Sequence, residues 1–393
     1  EGLNKTARFV MFKKPFEEVA RAEVFKAIET VTDRESTDAY RATARPQREL
    51  LEEGLETETD ETEETATRSR KRKTTGPLIK TARYIGNKWG GKYLRAPDIF
   101  FTILEKGKGK LVRLGDIAEV RFGIKTGAND FFYLEPTGRP APKGYLHVRN
   151  GAGWEGEIEE EFLKPVIKSP RECRSIIIKP EDLRYKIFMC HKDKRDLQGT
   201  AALEYIHWGE AQGYHQRPSC RGRQRWWDVG QQEPFDFVVL RFRHERNWSP
   251  VNTSPSLLAG DIMFVGSWTN RNAVDISNAL ANSTFAVFIS ELFGRVNLGE
   301  GLLTTYGPEI LHFLAIDPSS INPEVADRLM QRFQVLTTRD VLPIFDEIHQ
   351  PDRRALDEVV FDVLGLTAGE REAVYEAVIS LVRARLEKAR SVW

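Results

Sequence analysis

Cysteine is nearly absent: three residues in 393, Cys173, Cys190 and Cys220. An odd, widely spaced set excludes a secreted disulfide scaffold and points to a reduced, cytoplasmic setting, with the thiols as small buried side chains. Long hydrophobic runs are missing too. Nothing approaches the roughly 20 apolar residues of a membrane span, and the N-terminus lacks the charged-then-apolar pattern of a signal peptide. No excess of either charge exists, since Lys+Arg and Asp+Glu both number 58. A net charge of zero removes any global basic field, so a surface for nucleic acid must be local. The sequence also lacks an initiator Met and runs from Glu1 quickly into a strand-like segment, as expected of a piece of a longer protein.

Catalytic motifs are equally scarce. Gly107-Lys108-Gly109 lacks a third glycine in register and follows no strand, so it is no dinucleotide fingerprint. Neither a Gly-x-x-x-x-Gly-Lys-Ser/Thr phosphate loop nor a Gly-x-Ser-x-Gly elbow occurs. Cys173, Cys190, His191 and Cys220 show no paired metal-ligand spacing. The carboxylates around Asp98 (with Glu105 and Lys106) or Asp193 loosely suggest a metal-dependent nuclease. Asp98, Glu105 and Lys106 fall on an amphipathic helix, however, where surface charge is the plainer reading. The chain as it stands reads as non-catalytic.

What is present is a globular composition, 40% hydrophobic and 30% charged, long enough for two or three domains at about 150 residues each. Residues 7–12 form a short apolar strand with nothing of its own to pair with, stopped by Lys13, Lys14 and Pro15. Phe16, Val19, Ala20, Val24, Phe25 and Ile28 have the spacing of one amphipathic helix over 16–31. Residues 44–78 are expected to be a charged linker or exposed loop, acidic and Thr-rich from Glu52 to Glu64 and basic from Arg68 to Lys73. A helix is predicted over Ala96–Glu105, then a turn at 106–110.

The fold class that follows is α+β: a β-rich domain over 79–320 and a C-terminal helical subdomain over 321–393. Within the former, Phe285, Phe288, Ile289 and Leu292 mark one helix, capped by Asn282 or Ser283 and ended by Gly294. In the latter, Asn322-Pro323 starts a helix, Asp352 starts a second that ends at Gly365, and Thr367 with Glu370 forms a capping box for a third.

Local chemistry is concentrated between Lys164 and Arg246, where seventeen Lys/Arg face eleven Asp/Glu, a net of +6 in a neutral chain. Arg217, Arg221, Arg223 and Arg225 interleave there with Pro218, Gly222, Trp226 and Trp227. A guanidinium is a planar fork suited to phosphate oxygens and guanine edges, and a neighbouring Trp can stack on a base or wedge into a step. If 240–243 is a strand, Arg241 and Arg243 share one face, ~6.6 Å apart, with Leu240 and Phe242 on the other. Two loops add candidates: Lys125, Thr126 and Asn129 on the glycine-flanked turn after Gly123, and Trp268, Asn270 and Arg271 in the turn after Ser267. Together with the arginines they suggest one DNA-facing surface. Polar glycine turns and a solvated strand face with salt bridges to Glu233 or Asp236 are the bland alternative.

Several separated segments resemble, in order, the C-terminal region of adenine-N6 DNA methyltransferases with a TaqI-like target-recognition domain, a group that includes restriction-modification and phage-defence enzymes. They are WGGKYLRAPDI (Trp89–Ile99), RFGIKTGANDFF (Arg121–Phe132), FLKPVIKS (Phe162–Ser169), RPSCRGRQRWW (Arg217–Trp227), LANSTF (Leu280–Phe285), ELFGRVNLGEG (Glu291–Gly301), ALD (Ala355–Asp357) and LGLT (Leu364–Thr367). The resemblance implies an upstream Rossmann-like domain that binds S-adenosylmethionine and methylates a flipped adenine through an Asn/Asp-Pro-Pro-Tyr/Phe motif. That motif and the glycine-rich cofactor loop are missing from this sequence. The resemblance therefore assigns residues 1–43 to the end of that Rossmann-like domain, with 7–12 as its last strand. It makes the rest the non-catalytic specificity portion, whose partner is double-stranded DNA, with other restriction or defence subunits as further partners. The rival readings are the metal-dependent nuclease and a protein-interaction module built on the helices after Asn322.

Overall fold

The computed structural model describes residues 5–52, 55–56, 83–84, 89–296 and 301–390. The chain forms two compact units, Glu1–Phe101 and Thr102–Trp393.

In the first unit, the apolar strand Thr6–Phe12 lies antiparallel to Tyr40–Pro46, which pairs on its other edge with Arg34–Ser36. The strand expected to lack a partner thus has one within its own chain. The residues that close the sheet, Ala42 and Ala44, are too small to stand out in a hydrophobic pattern, yet both are fully buried, with Ile28 and Val31 against them. Ala44 and the following helix Gln47–Glu52, which buries Leu50, also move the start of the expected linker: 44–52 is folded. The acidic stretch beyond Glu56 and the basic run Arg68–Lys73 lie outside the described residues. The helix expected over 16–31 is two helices, Phe16–Val19 and Ala22–Thr30, because Arg21 is extended and breaks the hydrogen-bond ladder.

The second unit has a six-stranded sheet in the order Glu155–Glu159, Tyr145–Asn150, Tyr133–Pro136, Tyr185–Phe188, Leu163–Ile167, Leu258–Ala259. All pairs are antiparallel except the last. The helix Ala201–Ala211 packs on it through Tyr205 and Ile206, in a core with Phe131, Phe132 and Phe188. A second sheet, Phe237–Leu240, Met263–Trp268 and Ala118–Phe122, has its own core around Phe237, Phe264 and Ile310. Cys173, Cys190 and Cys220 are all free and buried, as their type suggested.

Helix ends follow their local signals closely. Asp98–Lys106 buries Ile99, Phe100 and Ile103. Ser283 accepts from Ala286 N at the start of Thr284–Phe293, and Asn322 from Val325 N at the start of Pro323–Leu336. Thr367 and Glu370 exchange bonds of 2.7 and 3.4 Å ahead of Ala368–Arg390. Pro351–Leu364 stops at Gly365, whose φ of 72° is the left-handed cap that glycine allows. These C-terminal helices are fastened to Thr284–Phe293 by buried groups. Asp357 accepts from the N–H and hydroxyl of Thr284 at 2.7 and 2.5 Å, and Arg385 holds Glu291 at 3.1 Å. No described helix is long and apolar enough to cross a membrane.

Candidate nucleic-acid interface

The strand Ala118–Phe122 ends in the turn that carries Lys125, Thr126 and Asn129. Gly123 is required there, because a Cβ would collide with the carbonyls of Ala259 and Gly260. Gly127, at φ 75°, lets the turn press against Ser219 on the short helix Pro218–Arg221. Two segments about ninety residues apart in sequence thereby become one surface.

Arginines fasten them together. Arg217 grips Asp130 with two bonds of 2.6 and 2.8 Å, and Tyr214 donates to the same carboxylate at 2.8 Å. The Arg217 hydrogen bond outweighs partial burial and holds the Asp130 carboxyl below its ordinary range. Arg223 donates to the carbonyls of Lys125 and Thr126 at 3.0 and 2.7 Å. Thr126 is buried, its hydroxyl hydrogen-bonded to the Asn129 side chain and accepting from Ala128 N at 3.2 Å. Thr126 therefore shapes the turn instead of lining a groove, while Asn129 stays exposed. Lys125 and Arg221 are exposed, and neither has an ion-pair partner among the described residues. They are cations without an anion.

Arg225 and Trp226 are placed otherwise. Arg225 is held by Asp228 at 2.8 Å and Asp193 at 3.1 Å. Trp226 is buried, its ring 4.8 Å from Phe131 and its indole N–H donated to Glu210 at 3.0 Å. It is a core residue, unavailable for stacking on a base.

The expected exposed pair of Arg241 and Arg243 does not form. The ladder with Met263–Trp268 ends at Leu240, and Phe242–Arg243 starts a new one with Leu303–Thr304. The alternation restarts at that break, so Arg243 turns inward and is 6% exposed. Arg241 stays half-buried, its guanidinium 5.2 Å from the ring centres of both Phe242 and Tyr306.

The second loop does not join the first. Phe264 lies opposite Phe122 and Trp268 opposite Ala118, so the two loops leave from opposite ends of the strand pair, roughly 14 Å apart along it. Trp268 is buried, stacks on Phe237 at 4.3 Å and donates its indole N–H to Asn278 at 2.8 Å. Arg271 pairs with Asp236, and Asn270 caps its own turn by accepting from Asn272 N at 3.1 Å. The single surface expected from both loops is thus only the one at the Gly123 end.

That end carries residues the sequence reading missed. Phe122 is 53% exposed with its ring 4.7 Å from Phe264, and Tyr306 is 38% exposed one residue before Gly307, which also abuts Phe264. Arg295 lies 4.5 Å above the Tyr306 ring and is bound to Glu309. The available signal was an aromatic at the last position of a strand, directly before a glycine that cannot be replaced. The suggested nuclease carboxylates are neutralised by neighbours: Asp98 takes the Ser36 hydroxyl and the cations Lys13 and Arg41, and Asp193 takes Arg225. No group of three potential metal ligands gathers among the described residues.

Residues 155–349 match the family described as the type II methyltransferase M.Eco57I, C-terminal domain. Among solved structures, the chain is similar to the crystal structure of the type IIG restriction endonuclease BpuSI, with a TM-score of 0.50 and 10% identity. That match covers 98% of this chain and 47% of that one, so the chain spans about half the length of its structural relative. No curated protein sequence matches. The family resemblance and the α+β fold class read from the sequence both hold, and the two likenesses fit a methyltransferase target-recognition domain.

Proposed function

We propose that this chain is the DNA-recognition portion of a site-specific adenine-N6 DNA methyltransferase of the restriction-modification or phage-defence type. The observation that carries the reading is the joining of the Gly123 turn to the arginine segment. Two unpaired cations, Lys125 and Arg221, stand on it beside an exposed aromatic, Phe122. Both kinds of group serve duplex binding: cations displace counterions from phosphates, and flat side chains can stack or wedge at a base step. Arg241 on Tyr306 extends the face with a guanidinium already laid against a ring. The match over residues 155–349 supports the methyltransferase setting.

S-adenosylmethionine belongs, on this reading, to sequence outside this chain. The only parallel ladder among the described strands is the short one between Val166–Ile167 and Leu258–Ala259, and no glycine-rich strand-to-helix turn follows it. The described residues offer no such cofactor turn, and no methyl-transfer step is assigned to them. Three buried free thiols support a cytoplasmic setting.

The test is fluorescence anisotropy of the full chain with random-sequence duplex DNA across a salt series. Affinity that falls linearly in log–log coordinates, with a slope of several phosphates, supports the reading. Absence of binding at low salt contradicts it.

A further inference from the structure

Inside the second unit a cavity of about 100 Å³ lies between the strands Phe237–Leu240 and Met263–Trp268 and the helices Val274–Ala281 and Thr284–Phe293. Most of its wall is apolar, including Ile117, Leu280, Phe285, Ile289 and Phe313. Arg243 also lines it. The side chain is almost wholly buried, yet its Nε and Nη1 have no acceptor. Trp248, in the same wall and 8% exposed, has an indole N–H without an acceptor as well.

Protein groups do not settle the charge. The buried carboxylate in this region, Glu291, is taken by Arg385 at 3.1 and 3.2 Å and lies 3.5 Å from the Asn247 amide. Two guanidiniums therefore share one carboxylate, and one of them makes no hydrogen bond to it. Burial pushes Arg243 down to about 10, with Glu291 opposing and Arg385 adding to the fall, so it is still a cation at neutral pH. A desolvated cation with unmade donors is strongly unfavourable unless an anion meets it.

We propose that this cavity binds a small organic anion, a carboxylate with a short apolar tail. The carboxylate accepts the free N–H groups of Arg243 and Trp248, and the tail lies among Leu280, Phe285 and Ile289. A guanidinium fork matches a carboxylate in shape. The volume is about two thirds of the roughly 150 Å³ that admits benzene, so the ligand is a short-chain carboxylate of about four to six heavy atoms. An inorganic ion would leave the apolar wall unfilled.

The full chain is titrated with sodium butyrate, with butyramide and with sodium chloride at matched ionic strength, followed by melting temperature and calorimetry. Saturable stabilisation by butyrate is expected, with butyramide roughly tenfold or more weaker, the worth of one charge-assisted hydrogen bond. Chloride is expected to do nothing beyond a general salt effect. Arg243→Met should abolish the preference for butyrate over butyramide, and Trp248→Phe should weaken butyrate while keeping the preference. Failure of butyrate to stabilise the wild type, equal stabilisation by chloride, or an unchanged preference in Arg243→Met overturns the proposal. Should Arg243→Met not fold, the wild-type comparison of butyrate with butyramide decides alone.

Discussion

Among the described residues Lys125 and Arg221 are exposed with no carboxylate partner, whereas Arg217 and Arg225 hold aspartates and Arg223 holds backbone carbonyls, and this decides what each can offer a phosphate. Arg225 and Arg271 are each committed to aspartates. Replacing either with Ala is expected to leave the salt slope of DNA binding unchanged, measured by anisotropy, because a guanidinium held by its aspartates displaces no counterion from a phosphate. Phe122→Ala should cost binding about 1–3 kcal/mol, the usual worth of a base-stacking aromatic, with no change in salt slope. Trp226→Ala should do the reverse, lowering stability by about 3–5 kcal/mol in denaturant unfolding, since its ring fills the core against Phe131. The sequence displayed all these residue types. It could not display their burial, because an Arg or Trp carries no mark of the face it occupies. Arg243 shows this best: alternation from Leu240 would have exposed it, and the change of ladder partner at Arg241 buried it.

Elements were legible where their signals are local. Ser283, Asn322 and the Thr367–Glu370 pair each cap a helix where the residue type and spacing indicated. Ser283→Ala or Asn322→Ala should cost about 1 kcal/mol in unfolding free energy. What sequence could not show was the joining of the Gly123 turn to Pro218–Arg221, which depends on a glycine facing Ser219 and on Arg217 reaching Asp130. That clamp has a definite pH behaviour. The Asp130 carboxyl is depressed, so its stabilisation is complete above the ordinary Asp value of about 3.9 and is lost as pH falls through the lower folded value. The interface should therefore not titrate through Asp130 between pH 5 and 8. Carboxyl NMR should place its midpoint below about 3.9, and Arg217→Met should move that midpoint upward.

For the whole molecule, 58 basic and 58 acidic residues leave no net charge, so a surface for DNA has to be local. Six of the seventeen cations between Lys164 and Arg246 are ion-paired, namely Arg184, Lys192, Lys194, Arg195, Arg217 and Arg225. On the proposed reading, grip on DNA comes from the phosphates that Lys125 and Arg221 reach at the Gly123 end of the strand pair Ala118–Phe122 and Met263–Trp268. The most direct measurement is the salt dependence of duplex binding for the wild type and for the Lys125→Ala, Arg221→Ala double variant. The account predicts weaker binding and a log–log slope shallower by about 2, one unit per lost phosphate contact. A double variant with the wild-type slope would contradict it and remove this face from the interface.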